Sequence, residues 1–171
     1  MKRRAGPIYS MPIHTREGEF MAHYSRRGLC SLGFPSDAKR RTGAQGTSRV
    51  PARIRQWHAA TSKALRLALA GRAAKRLPPL DLSAGTEFQR RVWRALRRIG
   101  WGRTQSYAQV ARAVGNPKAA RAVGGACGAN PIPVLVPCHR VLAAGGSLGG
   151  FSGGLNWKRA LLRREGIRPP E

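Results

Sequence analysis

The stretch SYAQVARAVGNPKAARAVGGACGA, residues 106–129, decides how the chain folds. Ser106 followed three residues later by Gln109 is a capping-box pattern, in which two side chains satisfy free backbone donors at the start of a helix. A short helix through Val114 is predicted. Gly115 closes it, Asn116 is placed to cap a second helix, and Pro117 suits that helix's first turn, where no amide donor is missed. Two short helices joined by so tight a turn make a helix-turn-helix, although helical hairpins with a glycine turn also pack ordinary cores. The second helix is poorly equipped to read bases. Ala119, Ala120, Ala122, Val123, Gly124 and Gly125 are small, and Lys118 and Arg121 are its long polar side chains. Few groups remain to read the donor and acceptor code of a major groove. A small-residue surface instead lets backbone approach closely, which suits a narrow groove and sequence-independent contact.

Working upstream, Thr86 with Gln89 repeats the capping box. Phe88, Val92, Ala95, Leu96 and Ile99 then form one helical face, while Arg90, Arg91, Arg94, Arg97 and Arg98 crowd the others. Residues 72–85, RAAKRLPPLDLSAG, read as a linker by their prolines. Before them, Ile54, Trp57, Thr61, Ala64, Leu65 and Ala68 follow a helical stripe that Gly71 is placed to end. Residues 35–49 are polar and glycine-containing and read as a surface loop. The runs IYSMPIHT, EFMAHYS and GLCSLGF are short, β-prone and separated by turn signals, which predicts a β-meander. The chain therefore divides near residue 80. The expected class is α+β: an N-terminal domain, residues 1–80, of a small β-sheet plus a helix, and a mostly helical, winged-helix-like C-terminal domain, residues 81–171, with the helix-turn-helix.

The 171 residues carry 32 Lys and Arg against 7 Asp and Glu, a net charge of +25. Such a balance points to a polyanion such as nucleic acid. Residues 1–80 hold 17 basic and 3 acidic side chains, and residues 81–171 hold 15 and 4, so the charge belongs to the folded body rather than to a detachable tail. Many of these positions would also be accounted for by an arginine-rich proteome. The three cysteines are odd in number and widely spaced, the N-terminus lacks the apolar core of a secretory signal, and no apolar run has transmembrane length. A soluble protein of the reducing cytoplasm, without a membrane partner, is expected.

Downstream of the helix-turn-helix lies NPIPVLVPCHRV, residues 130–141, which delivers a cysteine and a histidine on a stem stiffened by prolines. A cysteine is a useful nucleophile only as thiolate, so a neighbour must take its proton or lower its pKa. His139 is the one histidine after residue 58, and no acid occurs between Glu87 and Glu165. A Cys, His and acid relay in this half would use Cys138, His139 and Glu165, with Glu87 and Asp81 as weaker choices of acid. Glu165 sits at the end of the helix WKRALLRREG, where the dipole disfavours a carboxylate. Either another group holds it there or it pairs at the surface with Arg163, Arg164 or another nearby arginine. Adjacent Cys and His side chains tend to diverge, so the proton path needs a turn or a bridging water, and Asn130 is placed to bond backbone across the turn. Cys127 to Cys138 is an unconvincing spacing for zinc. His14, His23, Cys30 and His58 could converge on a metal, but scattered satisfied histidines are the commoner outcome, and no metal is assigned.

These residues resemble the O6-alkylguanine-DNA alkyltransferases, the methylated-DNA-protein-cysteine methyltransferases. VPCHRV is similar to that family's active-site motif, and NPKAARAVGGACGANPIPVLVPCHR to its DNA-binding helix and asparagine hinge. The likeness runs from about Gly85 to Gly166 and is loose over residues 8–80. It implies a suicide reaction without a cofactor, carried out by a monomer on double-stranded DNA that contains O6-alkylguanine. A flipped guanine presents its alkyl carbon and the thiolate keeps the alkyl group. By the resemblance Cys138 is the acceptor, His139 the base acting through a water, Glu165 the acid that orients it, and Asn130 the hinge. Arg121 would fill the vacated place in the duplex, Tyr107 would push the target's 3′ phosphate, and Ala119, Ala120 and Gly124 would face the minor groove. Val141, Phe151 and Ser152 would line the base pocket, with Phe151 where many members carry tyrosine. A helix-turn-helix regulator without chemistry would leave Cys138 and Glu165 unexplained, and a cysteine hydrolase would give no reason for Arg121 or the charge.

Overall fold

A computed structural model of the chain describes residues 7–35 and 50–169. Three antiparallel strands come first: β1 (Tyr9–Thr15), β2 (Gly18–Ser25) and β3 (Gly28–Gly33), in the order β1-β2-β3. The period-2 alternation of β2 turns Phe20, Ala22 and Tyr24 to the core. The meander is thus as the turn signals predict; the loop expected at residues 35–49 falls almost wholly outside the described residues. Helix α1 (Ala52–Leu69) buries Ile54, Thr61, Ala64, Leu65 and Ala68, with Trp57 only partly covered.

The proline-rich segment that follows is fastened to the sheet. Leu29 donates to Pro79 O at 2.8 Å and Asp81 N–H returns a bond to Leu29 O at 2.7 Å, so this segment adds a short parallel edge beside β3. Asp81 is occupied there, accepting from the Ser25 hydroxyl and from Ser83, which removes it as a relay acid.

Helix α2 (Glu87–Leu96) begins at the Thr86–Gln89 capping box with both reciprocal bonds formed. Its buried face includes Trp93, which the stripe of Phe88 and Ala95 passes over: the indole donates to Ala126 O at 2.8 Å and clamps α2 to the helix-turn-helix. Strand β4 (Gln105–Ser106) leads into α3 (Tyr107–Ala113), again through a complete capping box. Asn116 does not cap the next helix. Residues 116–119 form a turn closed by Ala119 N–H to Asn116 O at 3.0 Å, and α4 (Ala120–Gly128) starts from Ala119 with no side-chain cap. Pro117 lies in that turn, ahead of the helix; a turn with its own backbone bond competes with an early helix start.

After α4, a 3₁₀ turn (Cys138–Arg140) leads into β5 (Val141–Leu142), which pairs parallel with β4 over two residues and is all there is of a wing among the described residues. A second 3₁₀ turn (Ala144–Gly146) and helix α5 (Leu155–Arg164) complete the chain. One continuous apolar core joins the sheet, α1, the helix-turn-helix and α5. Among the described residues no helix is long and apolar enough to cross a membrane.

Candidate active site

The stem of residues 130–137 is built from local bonds. Pro137 sits at φ −82°, ψ 64°, and Cys138 N–H donates back to Val136 O at 2.8 Å, an inverse γ-turn that proline's ring favours. Val136 N–H in turn donates to Ile132 O at 2.9 Å. Val134 is forced to φ +72°, which for a β-branched side chain stores strain of order 1–3 kcal/mol. The apolar side chains of Ile132, Val134, Leu135 and Val136 are buried and hold this backbone in place.

Asn130 ties the stem together. Its amide nitrogen donates to Val136 O at 2.7 Å and to Cys138 Sγ at 3.1 Å, and its oxygen accepts from Ile132 N–H at 3.0 Å. Cys138 is 3% exposed. Burial pushes its thiol up from the ordinary range, opposed by the Asn130 amide, by the Lys158 ammonium and by backbone N–H groups of the turn. At rest it is a thiol that needs a base.

His139 and Glu165 are both buried and meet at 2.7 Å, Nε2 to Oε1. Burial lowers the imidazole pKa, Glu165 resists that fall, and Arg140 and Lys158 add to it, so the ring is neutral at pH 7. Burial would raise the Glu165 carboxyl, but bonds from His139 and Arg140 outweigh it and hold it below the usual range. An ionised carboxylate only accepts, so the imidazole proton is assigned to Nε2. That leaves Nδ1 with a lone pair. Nδ1 is buried and has no hydrogen-bond partner among the described residues.

Glu165 is not in the last turn of α5 but caps it. Gly166, at φ +77°, and Ile167 bond back to Arg163 O and Leu162 O, a Schellman closure that needs glycine's left-handed conformation. Neither Arg163 nor Arg164 holds the carboxylate; Arg164 pairs with Glu17 at 2.8 Å. Glu165 is gripped instead by Arg140, whose Nε lies 2.8 Å from Oε2 and whose Nη2 lies 3.0 Å from Oε1, and by Gly102 N–H at 3.1 Å. Arg140 is itself held by Ile99 O and lies over the Trp101 ring at 5.4 Å.

The same fold has been solved elsewhere. The crystal structure of Mycobacterium tuberculosis O6-methylguanine methyltransferase matches with a TM-score of 0.74 and 36% identity over 96% of each chain. The chain belongs to the O6-methylguanine methyltransferase family. Residues 87–167 match the family described as 6-O-methylguanine DNA methyltransferase, DNA binding domain. The methylated-DNA–protein-cysteine methyltransferase of M. tuberculosis strain H37Rv is 57% identical over 91 residues, which are 53% of this chain and 54% of that protein. Sequence matches of this kind span about half the length of the curated relatives. A structure of M. tuberculosis OGT in complex with DNA matches with a TM-score of 0.74 and 36% identity over 95% of this chain and 94% of that one.

The residues singled out by the family pattern fall in two places. Cys138, His139, Glu165 and Asn130 form the bonded cluster just described. Tyr107, Ala119, Ala120, Arg121 and Gly124 lie on α3, at the turn and on α4, with Arg121 exposed and the Tyr107 ring 3.8 Å from where a Cβ on Gly124 would stand. Val141 is buried beside the 3₁₀ turn, whereas Phe151 is half-buried and Ser152 exposed in the loop before α5. Glu87, the other weak choice of acid, is exposed in the first turn of α2. His14 pairs with Glu19, His23 with Ser10 and His58 with Tyr24, and the Cys30 thiol donates to His23 O. They do not converge: among the described residues no group of three His, Cys, Asp or Glu side chains is arranged to hold a metal.

Two residues escaped the sequence reading. Arg140 stands inside the motif itself. Lys158 is fully buried and donates to Val141 O at 2.6 Å, to Leu148 O and to Gly150 O, stapling the loop between β5 and α5. Its signal was present: Lys158, Leu161, Leu162 and Glu165 follow one helical face, which places a lysine on a buried stripe.

Proposed function

We propose that the protein repairs DNA by moving the alkyl group of O6-alkylguanine from a duplex onto its own Cys138, once per molecule. The observation that carries this reading is the orphaned Nδ1 of His139. A neutral imidazole whose other nitrogen is committed to Glu165 offers a buried lone pair as a base, beside a buried thiol that needs one. His139 takes the Cys138 proton, through a water, as the sulfur attacks the alkyl carbon. The S–C bond forms as the C–O6 bond breaks, the electron pair leaves on O6, and the proton ends on the departing guanine. Asn130 steadies the sulfur and Glu165 fixes the ring, with Arg140 fixing Glu165. The thioether is a poor leaving group, so no turnover follows and no cofactor is called on.

The base is reached by extrusion. In this reading Ala119, Ala120 and Gly124 meet the minor groove, Arg121 fills the gap in the stack, Tyr107 presses on the 3′ phosphate, and Val141, Phe151 and Ser152 receive the base. The chain works as a monomer in the cytoplasm, in two units divided near residue 80. Intact-mass measurement after incubation with a duplex holding one O6-methylguanine is the test. One methyl group per molecule, located on Cys138, is expected. Multiple turnovers, or an adduct on Cys30 or Cys127, would sink the reading, and duplex binding without mass gain would leave a helix-turn-helix regulator.

A further inference from the structure

Strand β3 and the residue just past it each reach the site. Leu32 N–H donates to Pro131 O at 2.8 Å, next to Asn130. Two residues on, Phe34 is 2% exposed and stands edge-on to Phe151, ring centroids 5.8 Å apart at 69°. Trp157 of α5 lies 5.0 Å and Phe20 of β2 lies 5.6 Å from the same ring, so Phe34 has a fixed seat between sheet and helix.

Gly153 records how closely the loop lies on that ring. A Cβ there would stand 2.5 Å from one ring carbon of Phe34 and 2.7 Å from another, distances that real carbon atoms do not adopt. Glycine is needed at 153 because the ring is underneath. The loop from Leu148 to Gly154 is therefore held by Lys158 on the carbonyls of Leu148 and Gly150, by Tyr107 against Gly149, and by Phe34 beneath Phe151 and Gly153. Of these three, Phe34 alone comes from the N-terminal half.

We propose that Phe34, just past the end of β3, is a positioning residue for alkyl transfer: it seats the Phe151–Gly153 segment so that the base pocket stands in register with Cys138. The proposal rests on the alkyl-transfer reading above, in which Phe151 and Ser152 receive the base. It gives the N-terminal half a part in the reaction, with one strand and the residue just past it setting the Asn130–Pro131 backbone and the pocket loop. It also gives Phe151 a reason: an apolar ring at that position meets an apolar partner. An error of an ångström in placing a reactant costs on the order of 10²-fold in rate, so an element that touches no reacting atom can still govern the reaction.

The experiment compares two reagents on Cys138, read by peptide mass: free O6-benzylguanine, which must occupy the pocket, and iodoacetamide, which need not. Phe34→Ala is expected to slow benzyl transfer by about tenfold or more while iodoacetamide modification holds. Phe34→Leu, apolar but without the ring, falls between, and carries the same comparison if Phe34→Ala fails to fold. Gly153→Ala should slow benzyl transfer in the wild-type background and add nothing once Phe34 is alanine, because the clash is gone. Equal loss with both reagents, additive effects of the two substitutions, or an unchanged benzyl rate in folded Phe34→Ala would overturn the proposal alone. A wild-type protein that accepts iodoacetamide but no benzyl group from O6-benzylguanine would remove the alkyl-transfer reading and the proposal with it.

Discussion

The relay and the helix α4 lie close together and are built in opposite ways. Around Glu165 three partners converge on one carboxylate, and the groups that hold it are held in turn, Arg140 by Ile99 O and Trp101 and His139 by its burial. On α4 the exposed positions are Arg121, Ala122, Gly125 and Gly128, and the helix starts without a side-chain cap. In the proposed reaction the relay is fixed before any substrate arrives, as general-base chemistry on a buried thiol would demand. The helix surface is bare, and its contacts are left for a partner to complete. Substitutions in the relay should therefore fall equally on every alkyl donor, and substitutions on the helix only on donors embedded in a duplex.

The largest expected effect tests the first half of that contrast. Cys138→Ala should abolish transfer from both O6-methylguanine duplex and free O6-benzylguanine while duplex affinity, measured by anisotropy, stays as in the wild type. A loss of affinity would join the two regions into one.

Glu165→Gln keeps the shape but removes the charge that holds Arg140 and raises His139. Alkylation should slow by about 10²-fold on both donors. The pH dependence follows from the same group. His139 is held below its ordinary 6.5, and its neutral form is the proposed base, so the wild-type rate should be level near neutrality and fall only on the acid side of that value. Stability has the same sign. Both His139 and Glu165 bind protons less readily folded than unfolded, so stability is lost as pH drops, first as the unfolded histidine protonates below 6.5 and further as Glu165 protonates below 4.5. A rate that declines through neutral pH would show that His139 is charged in the resting protein.

Arg121→Ala tests the second half. Duplex repair should slow by about tenfold, part of the few kcal/mol that extrusion costs, while free O6-benzylguanine reacts at the wild-type rate. Arg121→Lys should recover part of the loss, because the planar guanidinium stacks where an ammonium does not. Equal loss on both donors would place Arg121 in the relay's class, and full rescue by lysine would reduce it to a phosphate contact. The smallest effect is a control between the regions. Thr86→Ala removes the α2 cap and should cost about 1 kcal/mol of stability by thermal unfolding, with the ratio of duplex to free-base rates unchanged.

Local signals in the sequence specify several elements outright. Both capping boxes, the meander, the stripe of α1 and the Gly115 and Gly166 closures are set by residues within a few positions of each other, so spacing alone reveals them. It also narrowed the candidates around Cys138 to one histidine in this half of the chain, with Glu165 the preferred acid and Glu87 and Asp81 the weaker choices. What it misjudged depends on competition or distance. Asn116 has a capping side chain, yet the turn through Ala119 claims that backbone first. Glu165 has two arginines beside it in sequence, yet α5 turns its end toward Arg140, 25 residues away along the chain. Lys158 and Phe34 carry no sign of what they hold, since carbonyls of another segment and a glycine more than a hundred residues distant become their partners only when the core closes. Packing settles these because burial drives most polar groups to find a partner wherever the packed chain supplies one, and sequence neighbours have no priority there.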